Sequence, residues 1–227
     1  MEETASPQSA AARTLPLPLV VLCLLYGGMT VIAGVLGFKQ VALGPLAVEA
    51  GIFAFLMLVV ISSSVAQLYG RKVADRVVLF GFLPLAVSVV LIFLVLNLPP
   101  SADMPAENVA AFEQVLSTTP RIMAAGPVAY GVSLLLNVWI FDALRGKGAS
   151  GGSGAWMMAR GAIASALSQV ADTLIFLTLA FYGQFPIGAL LAGQMVAKVV
   201  LSIVLVPPLI ALFVGLGRRY DAPASPL

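Results

Sequence analysis

One carboxylate stands well inside an apolar stretch of this sequence. Asp172 follows Gly161, Ser165, Ser168 and Gln169 at spacings of three and four, so all five share one face of a helix. An ionised or amide group at membrane depth is costly unless it borders water, finds a partner or faces a protein interior. Asp172 therefore suits either contact with a solute or ion, or pairing with a cation on another helix. Lys198 is a candidate for that cation. It shares a face of a second apolar stretch with Gln194 and Ser202, and an unpaired charge of either sign would be expensive there. A third set, Gly126, Tyr130, Ser133 and Asn137, repeats the helical spacing and suits solute contact or interhelical hydrogen bonding. Gln67, after Ser62, Ser63 and Ser64, and Glu49, just before another apolar run, complete the polar inventory. Glu49 also reads as a carboxylate at a helix N-terminus.

What is missing narrows the chemistry. The chain has no histidine, which removes imidazole metal sites, histidine-based triads and the commonest general base. Its single cysteine, Cys23, lies in an apolar run and reads as a small hydrophobe. Neither paired intramembrane carboxylates nor a cysteine cluster is evident. The reading is therefore of a protein without catalytic residues, metal ligands or cofactor, and not of an enzyme. Gly146, Gly148 and Gly151 form a formal GxGxxG, but they join two membrane spans instead of a strand and a helix, so they read as a flexible linker.

The elements that must hold these groups are transmembrane helices. Of 227 residues, 60% are hydrophobic and only 10% charged, and mean hydropathy is +1.04. So few charges cannot clothe that much apolar surface in water, and lipid must be the solvent for much of it. A span needs about 20 largely apolar residues. Six runs qualify: Leu15–Phe38, Ala50–Leu68, Val77–Leu98, Ile122–Leu144, Ala155–Tyr182 and Ile187–Leu216. The last is long, and Pro207 and Pro208 predict a bend in it. The expected fold is an all-α membrane protein. A six-helix domain over 15–217 is flanked by tails at 1–14 and 218–227, with a short outer helix at Ala106–Leu116. Ala33/Gly37 and Ala189/Gly193 are small-xxx-small pairs that permit close helix approach. Arg13, Arg71, Lys72, Arg76, Arg145, Lys147, Arg218 and Arg219 gather on one side, against Lys39 and Arg121 on the other. That excess predicts cytoplasmic N- and C-termini. Net charge is only +2 and the basic residues are dispersed, so nucleic acid is not an expected partner.

In their order, these polar positions resemble the queuosine precursor transporter family, also described as a vitamin uptake transporter family. The resemblance covers most of the chain, from about Leu15 to Leu216. Its most specific segment carries Arg160, Ser165, Gln169 and Asp172-Thr173 with Phe176, followed by Ala180-Phe181-Tyr182-Gly183. Tyr69-Gly70, Arg121 with Ala129-Tyr130, Lys198 and Lys39 support it. There are departures. Ser63, Ser64 and Gln67 stand where the family has acidic residues, and Asn137 stands where it has an aspartate. The chain looks like a divergent member.

The resemblance implies six helices, similar to the substrate-binding components of energy-coupling-factor transporters, in the plasma (inner) membrane. It implies import of a small solute, a deazapurine such as the cyano- or aminomethyl-7-deazaguanine precursors of queuosine. Alternatively, the chain is a binding component for another vitamin that works with an energising ATPase module. For a guanine-like solute, Asp172 or Glu49 would accept two adjacent donors, and Gln169, Asn137 or Gln67 would donate to a carbonyl. Tyr130 or Phe176 would stack on the ring. Arg160, Ser165 and Lys198 enter the site as family positions. The missing acidic side chains near span two weigh against the cationic aminomethyl form.

Overall fold

The first apolar run folds as α1 (Leu17–Leu36), entered through Pro16 and carrying a proline in its first turn. Proline is tolerated there because the first amides of a helix have no intrahelical acceptor. The computed structural model describes residues 15–144, 154–184 and 186–221. The linker glycines and both outermost tails lie outside the described residues. So do the side chains of Asn137, Arg160 and Ser165.

A β-hairpin follows α1, where the sequence predicted only a loop between helices. Strands β1 (Gln40–Leu43) and β2 (Leu46–Glu49) pair antiparallel, with Gln40 opposite Glu49 and Leu43 opposite Leu46. The two turn residues are Gly44 and Pro45. Gly44 has φ +60°, the sign that a type II′ hairpin turn requires at its first position and that glycine adopts freely. The all-α expectation is corrected here: a short sheet interrupts the helices.

Helix α2 (Gly51–Tyr69) starts one residue past Ala50 and ends at Gly70, whose φ of +86° turns the chain into α3 (Arg71–Leu96). The third helix thus begins six residues before the predicted Val77, and Arg71, Lys72 and Arg76 sit on its exposed first turns. A short helix α4 (Ala106–Leu116) coincides with the expected outer helix. Then come α5 (Thr119–Ala143) and α6 (Gly154–Phe181). The last predicted span is two helices, α7 (Gly188–Val204) and α8 (Val206–Asp221), bent by 44°. Pro207 and Pro208 lie just past the break; lacking N–H groups, they deny a helical bond to the carbonyls four residues earlier. Helix α8 continues to Asp221, so the predicted tail from 218 starts later than expected.

Helices α1, α2 and α3 are long and apolar enough to cross a membrane, and the bent α7–α8 pair makes a fourth candidate among the described residues. On α3, Leu79, Phe80, Leu83 and Leu91 are each more than half exposed. Hydrocarbon is the solvent that accepts such a face. Inside, three apolar clusters fix the helices around one another. Leu22, Tyr26, Ile61 and Val77 join α1, α2 and α3. Val48, Ile52, Val60, Ala197 and Val206 tie the hairpin to α2, α7 and α8. Ile122, Leu177 and Leu190 join α5, α6 and α7.

Candidate functional site

Between these clusters the helices leave an internal cavity of about 140 Å³. Residues from α1, α2, α3, α5, α6 and α7 line it, together with Glu49 from β2. Five aromatic side chains, Tyr26, Phe55, Phe82, Tyr130 and Phe176, form much of its wall. Phe82 and Tyr130 lie with ring centroids 6.1 Å apart at 53°. Phe176 is held edge-on by Phe181 at 6.1 Å and 88°. Rings fixed in this way offer flat apolar faces to a planar ligand.

The charged part of the wall is an ion pair between α6 and α7. Lys198 Nζ donates to Asp172 Oδ2 at 2.7 Å, with the side chains only 7% and 11% exposed. The cost of an unpaired charge deep in an apolar run suggested this pairing, and the fold supplies the distance. Lys198 Nζ also stands 4.6 Å from the centre of the Phe55 ring, where the electron-rich face of the ring attracts a cation. The other carboxylate oxygen, Oδ1, lies 3.5 Å from Ser133 Oγ, and that hydroxyl is nearer to the Tyr130 carbonyl at 3.0 Å. A hydroxyl has one proton to give, so among the described residues Oδ1 is only weakly engaged, and Asp172 lines the cavity.

A second polar pair locks the hairpin to α7. Gln194 Nε2 donates to Glu49 Oε1 at 2.8 Å, and the Glu49 N–H donates to Gln194 Oε1 at 3.2 Å. The Gly51 N–H donates to Glu49 Oε2 at 2.7 Å, so this carboxylate also caps the start of α2, where the helix dipole favours an anion. Glu49 is 3% exposed. It ends β2, outside the spanning helices, and burial pushes it up to about 7 despite both donated hydrogen bonds and the nearby Lys198 charge.

Close approach makes this lock feasible. A Cβ on Gly193 would collide with the carbonyl oxygen of Ala47. The Ala189/Gly193 pair was expected to admit another helix; it admits a strand instead. Gln194, the next residue, is thereby brought to Glu49. Gln194 is almost fully buried, and sequence reasoning placed it on the face of Lys198 without naming it a site residue. The signal that would have found it was the combination of Gly193 with an amide inside an apolar run.

Of the predicted site residues, Glu49, Tyr130, Asp172, Phe176 and Lys198 meet around one cavity. Gln169 and Gln67 do not line it. Gln169 is half-buried one turn before Asp172, and its carbonyl accepts from Thr173 Oγ1 at 2.9 Å. Gln67 is exposed near the end of α2, beyond Ser62, the last residue of that helix to reach the cavity. Ser64 turns its hydroxyl to the Val60 carbonyl at 2.7 Å. The polar end of α2 is therefore not part of the cavity wall. Arg121, at the start of α5, donates to the Leu179 and Tyr182 carbonyls at 2.6 and 2.9 Å and so anchors the end of α6. Among the described residues no group of acidic, histidine or cysteine side chains is arranged to hold a metal ion.

Residues 49–212 match a family described as "Putative vitamin uptake transporter". The matched stretch runs from Glu49 into α8 and includes Glu49, Asp172 and Lys198, the charged cavity-lining residues among those described. No curated protein and no solved structure matches the chain.

Proposed function

Because the chain belongs to this vitamin uptake transporter family, we propose that it imports a queuosine precursor, a 7-deazaguanine, across the plasma membrane. In this reading α5 and α6 cross the bilayer alongside α1, α2, α3 and the α7–α8 pair, giving six spans with both termini cytoplasmic. The observation that carries the proposal is the cavity between the helices, lined by aromatic side chains and by Asp172. A planar heterocycle lies between Tyr130 and Phe176, and its paired N–H donors meet a carboxylate. In this reading Asp172 Oδ1, the oxygen outside the ion pair, receives the first of them. Gln169 and Gln67 are left out of this contact set, whereas Arg160 and Ser165 stay in it as family positions and Asn137 as an amide donor.

Uptake of labelled precursor by cells expressing this chain alone is the direct test. Asp172→Asn is expected to abolish it while the protein still reaches the membrane. Uptake that appears only with a co-purifying ATPase module points to the alternative, a binding component of an energy-coupling-factor importer. Thermal stabilisation of the purified protein by a non-purine vitamin, and by no deazapurine, would remove the solute assignment.

A further inference from the structure

Above about pH 7 the charged side chains described in the cavity wall carry more negative than positive charge. Glu49, Asp172 and Lys198 are its charged lining residues among those described. Two carboxylates face one ammonium, and that ammonium is committed to Asp172 at 2.7 Å. The direct partners of Glu49 are dipoles, since the amide of Gln194 and the N–H of Gly51 both donate to it, and the Lys198 charge acts on it only from farther off. Each of its oxygens thus receives a proton donor, which favours the carboxylate and offsets part of the burial that raises its titration to about 7. Once ionised, a buried anion held chiefly by dipoles attracts a further cation, because a partial charge offsets less of the lost hydration than a full one does. The same enclosure has electron-rich ring faces on Phe82 and Tyr130 close to one another, and such faces also favour a cation over a neutral group.

We infer that the cavity selects solutes bearing one positive charge, a primary ammonium on a flat ring, over their neutral counterparts, and that Glu49 is the residue that sets this preference. The inference rests on the proposed transport site. It reverses the expectation drawn from Ser63, Ser64 and Gln67, none of which lines the cavity. The acidic character absent from the end of α2 is restored by the hairpin, which brings Glu49 in from the other end of that helix.

Matched pairs differing only in an aminomethyl or a nitrile group on the same ring test this. One pair is built on 7-deazaguanine and one on a pyrimidine. Binding to the purified full chain at about pH 8, above the value of about 7 at which Glu49 titrates, is expected to favour the amine by on the order of tenfold or more. In Glu49→Gln the ratio falls to about one, and in Lys198→Gln it rises, since removing the ammonium leaves both carboxylates uncompensated. General damage to the fold weakens amine and nitrile alike and leaves the ratio where it was. Equal binding of amine and nitrile by the unmodified protein, or an unchanged ratio in Glu49→Gln, overturns the inference while leaving the deazapurine assignment intact. A preference seen only in the pyrimidine pair, with no deazaguanine bound, sinks that assignment and keeps the charge rule. Failure of every compound to bind overturns both.

Discussion

Two buried carboxylates face the same cavity and are satisfied in opposite ways. Asp172 meets a full opposite charge across α6 and α7, whereas Glu49 meets an amide and a backbone N–H across β2, α7 and α2. The ion pair balances charge but depends on both partners being present. The amide lock leaves charge uncompensated yet satisfies every polar atom it uses. One arrangement stores a charge the solute must compete for, and the other leaves a charge the solute can answer.

The sharpest way to break this contrast is to remove one half of the ion pair. Asp172→Asn or Lys198→Met strands a buried charge, and the expected loss is about 3–5 kcal/mol of folding stability. The double replacement Asp172→Asn with Lys198→Gln is charge-neutral and should restore most of that stability without restoring uptake. Thermal unfolding in detergent reads the first effect and labelled-solute uptake the second. A double variant no more stable than either single one would mean that the two side chains do not act as a pair.

A smaller effect is expected at the amide lock. Gln194→Leu deletes both hydrogen bonds to Glu49 and leaves a buried anion short of a donor, a loss of about 1–3 kcal/mol. Gly193→Val drives a side chain against the Ala47 carbonyl and should cost a similar amount, about 1–3 kcal/mol, through displacement of the hairpin. If the hairpin were only a loose surface feature, both variants would unfold at the wild-type temperature.

The smallest effect is on pH dependence. Glu49 titrates at about 7 in the folded chain against 4.5 for the ordinary side chain. An acid whose folded value is raised contributes stability that is fully present below 4.5 and is lost as pH rises to about 7. The stability difference between the unmodified chain and Glu49→Gln should therefore shift against the unmodified chain across that window. It should then level off at higher pH. A difference that stays flat with pH would mean that Glu49 titrates in its usual range.

The ion pair was legible in the sequence because both residues sit deep in apolar runs, where an isolated charge is too costly to tolerate. The hairpin was not. Its strands are four residues each, and their apolar content merges with the flanking membrane runs in any window of helical length. Gln67 misled for a related reason. A face shared along a helix gives direction but not depth, and the cavity reaches only as far along α2 as Ser62.

Composition and apolar run length alone determined that lipid surrounds this chain, that helices dominate it and that Asp172 needs a partner. These follow from local pattern and from the cost of exposing the wrong group to the wrong solvent. Only the tertiary structure decided which polar residues share a space. It took Gln194 into the site, left Gln169 and Gln67 outside it and placed Glu49 beside the cavity. Those outcomes turn on the depth at which helices cross and on a strand passing over Gly193. Distances between elements are set by packing across the whole fold, so no single segment encodes them.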